Sequence, residues 1–191
     1  MEKITFQGKH RKDVVVYTQN VEDEAMSLIL NIANHPVFEN AKIRIMPDTH
    51  AGKGIVIGFT CGLNDYVNPV DHVIRKGAIS SYTGEKMVIP FNMRDGLAIC
   101  VGKSNDDWNC SAPHGAGRLM SRSKAKETVD LDEFVNSMEG IYSTSVGRGT
   151  LDESPMAYKD CDEIMRLIEP TAEILFLVKP KINIKAFDSC D

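Results

Sequence analysis

The chain has 191 residues, 42% hydrophobic and 26% charged, with a net charge of −5. That length supports one domain with a real core or two very small ones, the composition is that of an ordinary globular protein, and the acidic balance argues against nonspecific coating of nucleic acid. Apolar runs such as Ile174 to Val178 are too short to span a bilayer, and no basic start with an apolar stretch and a small-residue cleavage site is present. The five cysteines (Cys61, Cys100, Cys110, Cys161, Cys190) are scattered with no CxxC pair, so a zinc ribbon or thioredoxin-like site is not expected, whereas a reduced, cytoplasmic setting without membrane attachment is.

In chain order, Val14 to Tyr17 reads as a strand on its β-branched and aromatic content. Asn20 is placed to cap a helix over 21–34, with Glu22, Asp23 and Glu24 in the first turn and Ala25, Leu28, Ile29 and Ile32 at helical spacing. Lys42 to Met46 alternates like a half-buried strand and stops at Pro47. Residues 47–54 are loop-like, and strands are expected at 55–60, 86–89 and 97–101. Residues 111–117 form a small-residue loop, followed by helix candidates at 118–127 and 131–138, the second capped by Asp130 with Glu133 three residues on. A helix over 160–168 ends before Pro170, and strands are expected at 173–178 and 181–185. The order of elements predicts an α+β fold with a mixed β-sheet core flanked by helices, not strict βαβ alternation.

Between Arg118 and Lys126 lie Arg118, Arg122, Lys124 and Lys126 and no acidic residue. On a helix, Arg118, Arg122 and Lys126 would share one face, either as a solvated surface or as a phosphate-contacting stripe.

His114 is followed by Gly115, Ala116 and Gly117, a backbone that a ligand can approach closely. A helix beginning near Gly117 would aim free N–H groups at an anion beside the imidazole. Nucleophile, small-residue cradle and Arg118 together suit a phosphoryl or nucleotidyl group, and a neutral imidazole attacking an α-phosphate gives a phosphoramidate. The plain alternative is a histidine in a glycine-rich turn. Asp48, two residues before His50, either holds an imidazole by its Nδ1 proton or caps a turn after Pro47. Spacing does not choose between these. Asp152 and Glu153, before Pro155, read as capping residues, and Tyr158 either stacks on a base or packs in the core.

The strings themselves resemble a known family. Met46-Pro-Asp-Thr-His-Ala-Gly-Lys-Gly54 resembles the "MPD-x-H-x-G-x-G" loop of the RtcB-type RNA ligases, and Arg75-Lys-Gly-Ala78 their "RKGA" element. Three further strings, Val88 to Gly96, Ser111 to Arg122 and Asp152 to Lys159, look like the family's C-terminal signatures, and Ile182-Asn-Ile-Lys-Ala186 is similar to its closing strand. All occur in the family's order. The resemblance implies a single RtcB-like domain over 1–191, with 1–70 matching the family's N-terminal part and 72–186 its C-terminal part. It implies joining of RNA ends, a 3′-phosphate or 2′,3′-cyclic phosphate to a 5′-hydroxyl, with GTP and Mn2+. His114 would carry the guanylyl group and Asp48 would orient it. His114, Gly115, Ala116 and Gly117, with Pro90, Phe91, Asn92 and Met93, would line the guanylate site, and Lys185 would lie near the base. The family often has serine where Leu97 stands.

Full-length relatives carry a long segment with "DIGCG"-like, "GNHF"-like, "GH" and "HN"-like strings that supply the manganese ligands. Here Asn68-Pro-Val70 runs almost directly into His72, and those strings are absent. The expectation is an internally shortened chain to which no metal ligand is assigned, Cys61 and His72 included. An enzyme is one reading. The other is a non-catalytic remnant that binds nucleotide, RNA ends or a partner ligase.

Overall fold

The computed structural model describes residues 3–63 and 72–185. The expected junction at 68–72 lies outside the described residues up to His72, as do Ala186 and Cys190.

The N-terminal half is a five-stranded mixed sheet of β1 (Ile4–Phe6), β2 (Val14–Val16), β3 (Lys42–Ile45), β4 (Phe59–Gly62) and β5 (Val73–Lys76), in that spatial order. Only β2 and β3 pair in parallel, because helix α1 (Asp23–Asn34) provides the crossover between them. The apolar stripe of α1 (Ala25, Ile29, Ile32, Ala33) packs on Val14, Val16, Ile43 and Ile45, all buried. The β4–β5 pair runs from Phe59 opposite Lys76 to Gly62 opposite Val73, and Leu63 extends it by donating to the His72 carbonyl at 2.9 Å.

The C-terminal half holds β6 (Ala78–Ser80) paired with β9 (Ser111–Pro113), and an antiparallel sheet ordered β10 (Ala172–Val178), β8 (Leu97–Gly102), β7 (Lys86–Pro90). Helix α4 (Cys161–Ile168) covers one face of that sheet with Ile164 and Ile168, and Asp160 caps it by accepting from the Glu163 N–H at 2.9 Å. Helices α2 (Arg122–Thr128) and α3 (Leu131–Ser137) follow the His114 loop, and Phe134 of α3 packs with Met93, Met138 and Leu151. Asp130 caps α3 as expected, accepting from the Glu133 N–H at 3.0 Å. The fold is α+β with mixed pairing. Between the halves Tyr17 stacks on Trp108 at 3.9 Å between ring centroids, above Met46.

Several expected elements are corrected. The α1 cap is Glu22, without a side-chain cap bond, and not Asn20; the Glu22 carboxylate instead accepts from the Ala51 N–H at 2.6 Å. The strand expected at 55–60 starts only at Phe59. Residues before it close a loop, Ile57 donating to the His50 carbonyl at 3.0 Å and Lys76 Nζ donating to the Ile55 carbonyl at 2.5 Å, and Gly58 at φ +79° turns the chain into β4. Helix 118–127 begins at Arg122, where Ser121 accepts from the Lys124 N–H. Residues 181–185 make an isolated bridge, Ile182 to Tyr142, in place of a strand. Strands β1, β5, β6 and β9 had no counterpart among the expected elements; Ser111–Pro113, expected within a loop over 111–117, pairs with β6 instead.

Candidate active site

Two buried loops meet to build the site. After β9, His114 emerges half-exposed while Gly115, Ala116 and Gly117 stay buried. The Ala116 N–H donates to the Pro90 carbonyl at 3.0 Å, and a β-carbon on Gly115 would come within 3.1 Å of that oxygen. The chain therefore needs small residues to lie against the end of β7. Gly117 adopts φ +75°, a conformation glycine reaches at little cost, and its carbonyl accepts from the Lys159 N–H at 3.1 Å.

The second loop leaves β3. Pro47, Asp48 and Thr49 are buried, and the turn closes with Thr49 donating to the Met46 carbonyl. A β-carbon at Gly58 would lie 2.8 Å from Asp48 Oδ1, so that glycine makes room for the carboxylate. Asp48 Oδ2 lies 2.8 Å from His114 Nδ1 across a sequence separation of 66 residues. An ionised carboxylate only accepts, so Nδ1 carries the proton and, in the neutral ring, the lone pair lies on Nε2. The hydrogen bond from Asp48 holds the imidazole above its usual pKa, against an opposing push from burial, with smaller help from the carboxylate's charge and the Gly77 carbonyl. His50 Nδ1 donates to the Asp48 backbone carbonyl at 2.9 Å, and burial keeps its pKa below the usual value. The two readings of Asp48 are resolved here: its side chain serves His114 and its backbone serves His50.

The other expected residues divide between a pocket and the core. A pocket of about 260 Å³ is lined by Pro90, Phe91, Asn92, Leu97, Tyr158 and Lys185 among others. That is just below the usual range of ligand-site sizes. Met93 does not reach it, being wholly buried beside Phe134, Met138 and Leu151. His114 to Gly117 lie outside its wall and meet it through Pro90. A larger cleft of about 510 Å³ is lined by His50, Lys53, Arg118 and Arg122 together with Glu22 and Glu24.

Arg118, Arg122 and Lys126 do not form the expected helical stripe. Arg118 precedes α2, donates to the Asp152 carbonyl at 2.6 Å and lies 5.0 Å over the Tyr158 ring. Arg122 pairs with Asp152 at 3.0 Å and with Glu153 at 3.2 Å, and Lys126 pairs with Asp152 at 3.7 Å. Asp152 and Glu153 are thus charge partners in a 3-10 turn and not caps, and Glu153 also holds Lys185 at 3.2 Å. Tyr158 donates to Glu153 at 2.9 Å. The helix N-terminus expected at Gly117 starts at Ser121, so it does not sit directly beside the imidazole.

Among the described residues no three His, Cys, Asp or Glu side chains converge on a site that could hold a metal ion. Cys61 lies buried in β4 with its thiol pushed up to about 11 by burial, and His72 stands exposed at a strand end. Among the described residues, no helix is long and apolar enough to cross a membrane. Sequence reasoning missed Lys159, whose side chain is buried beneath the Asp48 loop.

Comparison with known proteins gives a consistent set of relatives. The family described as tRNA-splicing ligase RtcB matches residues 68–186. The RNA-splicing ligase RtcB of Escherichia coli K12 is 33% identical over 114 residues, covering 60% of this chain and 28% of that protein. The tRNA-splicing ligase RtcB of Aeropyrum pernix is 38% identical over 89 residues, 44% of this chain and 18% of that protein. That of Thermococcus kodakarensis is 26% identical over 166 residues, 80% of this chain and 31% of that protein. The chain spans less than a third of the length of these relatives.

Proposed function

This chain belongs to the RtcB family, and from that premise we propose that His114 accepts a guanylyl group from GTP in the joining of RNA ends bearing a 3′-phosphate or 2′,3′-cyclic phosphate to 5′-hydroxyl ends. The observation that carries the reading is the 2.8 Å contact between Asp48 Oδ2 and His114 Nδ1. It leaves Nε2 as the one ring nitrogen able to attack. In the step proposed, the Nε2 lone pair forms an N–P bond to the α-phosphate as the bond from that phosphorus to the bridging oxygen breaks. Pyrophosphate leaves with the electron pair, and the Nδ1 proton stays on the imidazolium ring beside Asp48, which stabilises the charge. The 5′-hydroxyl and phosphate ends of RNA are the partners this chemistry serves. The pocket that includes Phe91, Asn92, Leu97 and Lys185 is assigned to the base.

The described residues do not fit a manganese ion, and no step is assigned to one. That same observation favours a second reading, a non-catalytic module that binds nucleotide, RNA ends or a partner ligase. Incubation with α-labelled GTP and Mn2+, followed by acid treatment and peptide mapping, separates the two. Acid-labile label on His114, lost in His114→Ala, supports the first. Label on a lysine, or label that persists in His114→Ala, sinks it. A thermal shift with GTP but no label favours the second.

A further inference from the structure

Lys159 is 2% exposed, and lysine is almost never found so deep without partners. Its ammonium donates to the carbonyls of Pro47 at 2.8 Å and Asn20 at 2.9 Å, and its backbone N–H to that of Gly117 at 3.1 Å. Pro47 precedes Asp48 in the chain, and Gly117 abuts the Asp48 backbone. One residue therefore grips both loops of the site and the approach to α1. Two carbonyl bonds occupy two of the three ammonium protons. Asp48 Oδ1 is buried and has no hydrogen-bond partner among the described residues, so the carboxylate is held by His114 on one oxygen, with the lysine ammonium bonded to the carbonyl of the residue just before it.

Resting on the reading of His114 as the nucleotide acceptor, we propose that Lys159 is a positioning residue of that site, which acts through Asp48 to fix the carboxylate and share its negative charge. A fully buried carboxylate whose one partner is an imidazole draws that ring toward its charged form, in which Nε2 has no lone pair to offer. A second cation in the same field weakens that pull while leaving the Nδ1 hydrogen bond in place. The charged groups around Lys159 agree with this. Burial lowers its pKa to about 8, and Asp48, Glu163 and Glu22 act in the opposite direction. His50, whose Nδ1 meets the Asp48 carbonyl, is kept low chiefly by burial, and Lys159 adds to that lowering. A purely structural lysine would stitch the three segments together and leave the imidazole unaffected.

The test is NMR titration of the full chain carrying labelled histidine and lysine, with no nucleotide present. Lys159→Met should raise the proton affinity of His114 by about threefold or more, and Lys159→Arg, which keeps the charge, should bring it back toward the wild-type midpoint. A folded Lys159→Met protein with an unmoved His114 midpoint overturns the proposal. If Lys159→Met does not fold, the near-isosteric Asp48→Asn reads the same coupling from the other side. The Lys159 side-chain resonance should then titrate at lower pH than in the wild type, and an unchanged midpoint overturns the proposal. Guanylyl labelling of the wild type judges the acceptor reading separately. Label on His114 with unmoved titrations removes only Lys159 from the site, whereas no label with moved titrations removes the acceptor reading and leaves the coupling.

Discussion

A β-carbon on Gly117 would lie 2.1 Å from the backbone carbonyl oxygen of Asp48, so the loop carrying His114 and the loop carrying its carboxylate touch backbone to backbone. Gly117→Ala meets this contact and the φ of +75° together. The conformation alone should cost more than about 1 kcal/mol, and the loops must also separate. Melting should fall by at least about 3 °C, and guanylyl labelling of His114 should be lost. A variant with wild-type melting and labelling would show that the contact is dispensable.

The His114 pKa is raised in the folded protein, first through Asp48. Its stabilising contribution is therefore fully present below the unfolded value of about 6.5 and is lost as pH rises through the folded value. The stability gap between wild type and His114→Gln, read by urea melts, should be widest in mild acid and close toward alkaline pH. Labelling should run the other way, rising with pH as the neutral ring emerges. Asp48→Asn should shift that rise to lower pH. A pH-independent stability gap would mean that the pair contributes nothing to folding.

Asp152 is buried and pairs with both Arg122 and Lys126. Neutralising it as Asp152→Asn should release Lys126 to RNA phosphates, while Arg122 keeps its pairing with Glu153. Binding of a short single-stranded RNA should tighten, and its log–log salt slope should steepen by about one. An unchanged slope would mean that Lys126 never faces RNA.

The purified chain should join RNA ends poorly or not at all. Neutralising a triphosphate and its leaving pyrophosphate takes metal ions with about three or more protein ligands each, and the described residues present no such group. A loss of several kcal/mol in transition-state stabilisation is a loss of tenfold for every ~1.36 kcal/mol. The assay uses a 3′-phosphate and 5′-hydroxyl RNA pair with GTP and excess Mn2+. Multiple turnovers would require ligands that the described residues do not provide.

What could be read from the sequence follows the range of each interaction. The Asp130 cap was legible because donor and acceptor lie three residues apart. The α2 start was misplaced because a helical spacing of cations outweighed the local signal of Ser121, and because Arg118 is drawn into a bridge with Tyr158 on a later segment. The strings around His114 and Asp48 suggested partners, but spacing could not say that a carboxylate 66 residues away would choose His114 over the nearby His50. Lys159 was harder still. Its carbonyl partners lie 112 and 139 residues away, and nothing in its neighbourhood marks a lysine that will be buried.

Leu63 and His72 are joined by a 2.9 Å hydrogen bond at the open end of the β4–β5 pair. The seam is sealed before any chain between them is considered, as a drawstring closes a bag whatever its contents. Loop-closure entropy grows only with the logarithm of length, about 0.6 kcal/mol for each doubling. Chain can therefore be paid out or taken in at this point, by a few residues or by a whole lobe, while Asp48 and His114 keep their distance. Such a port gives a physical reason why this fold would tolerate chain of very different lengths between these two residues.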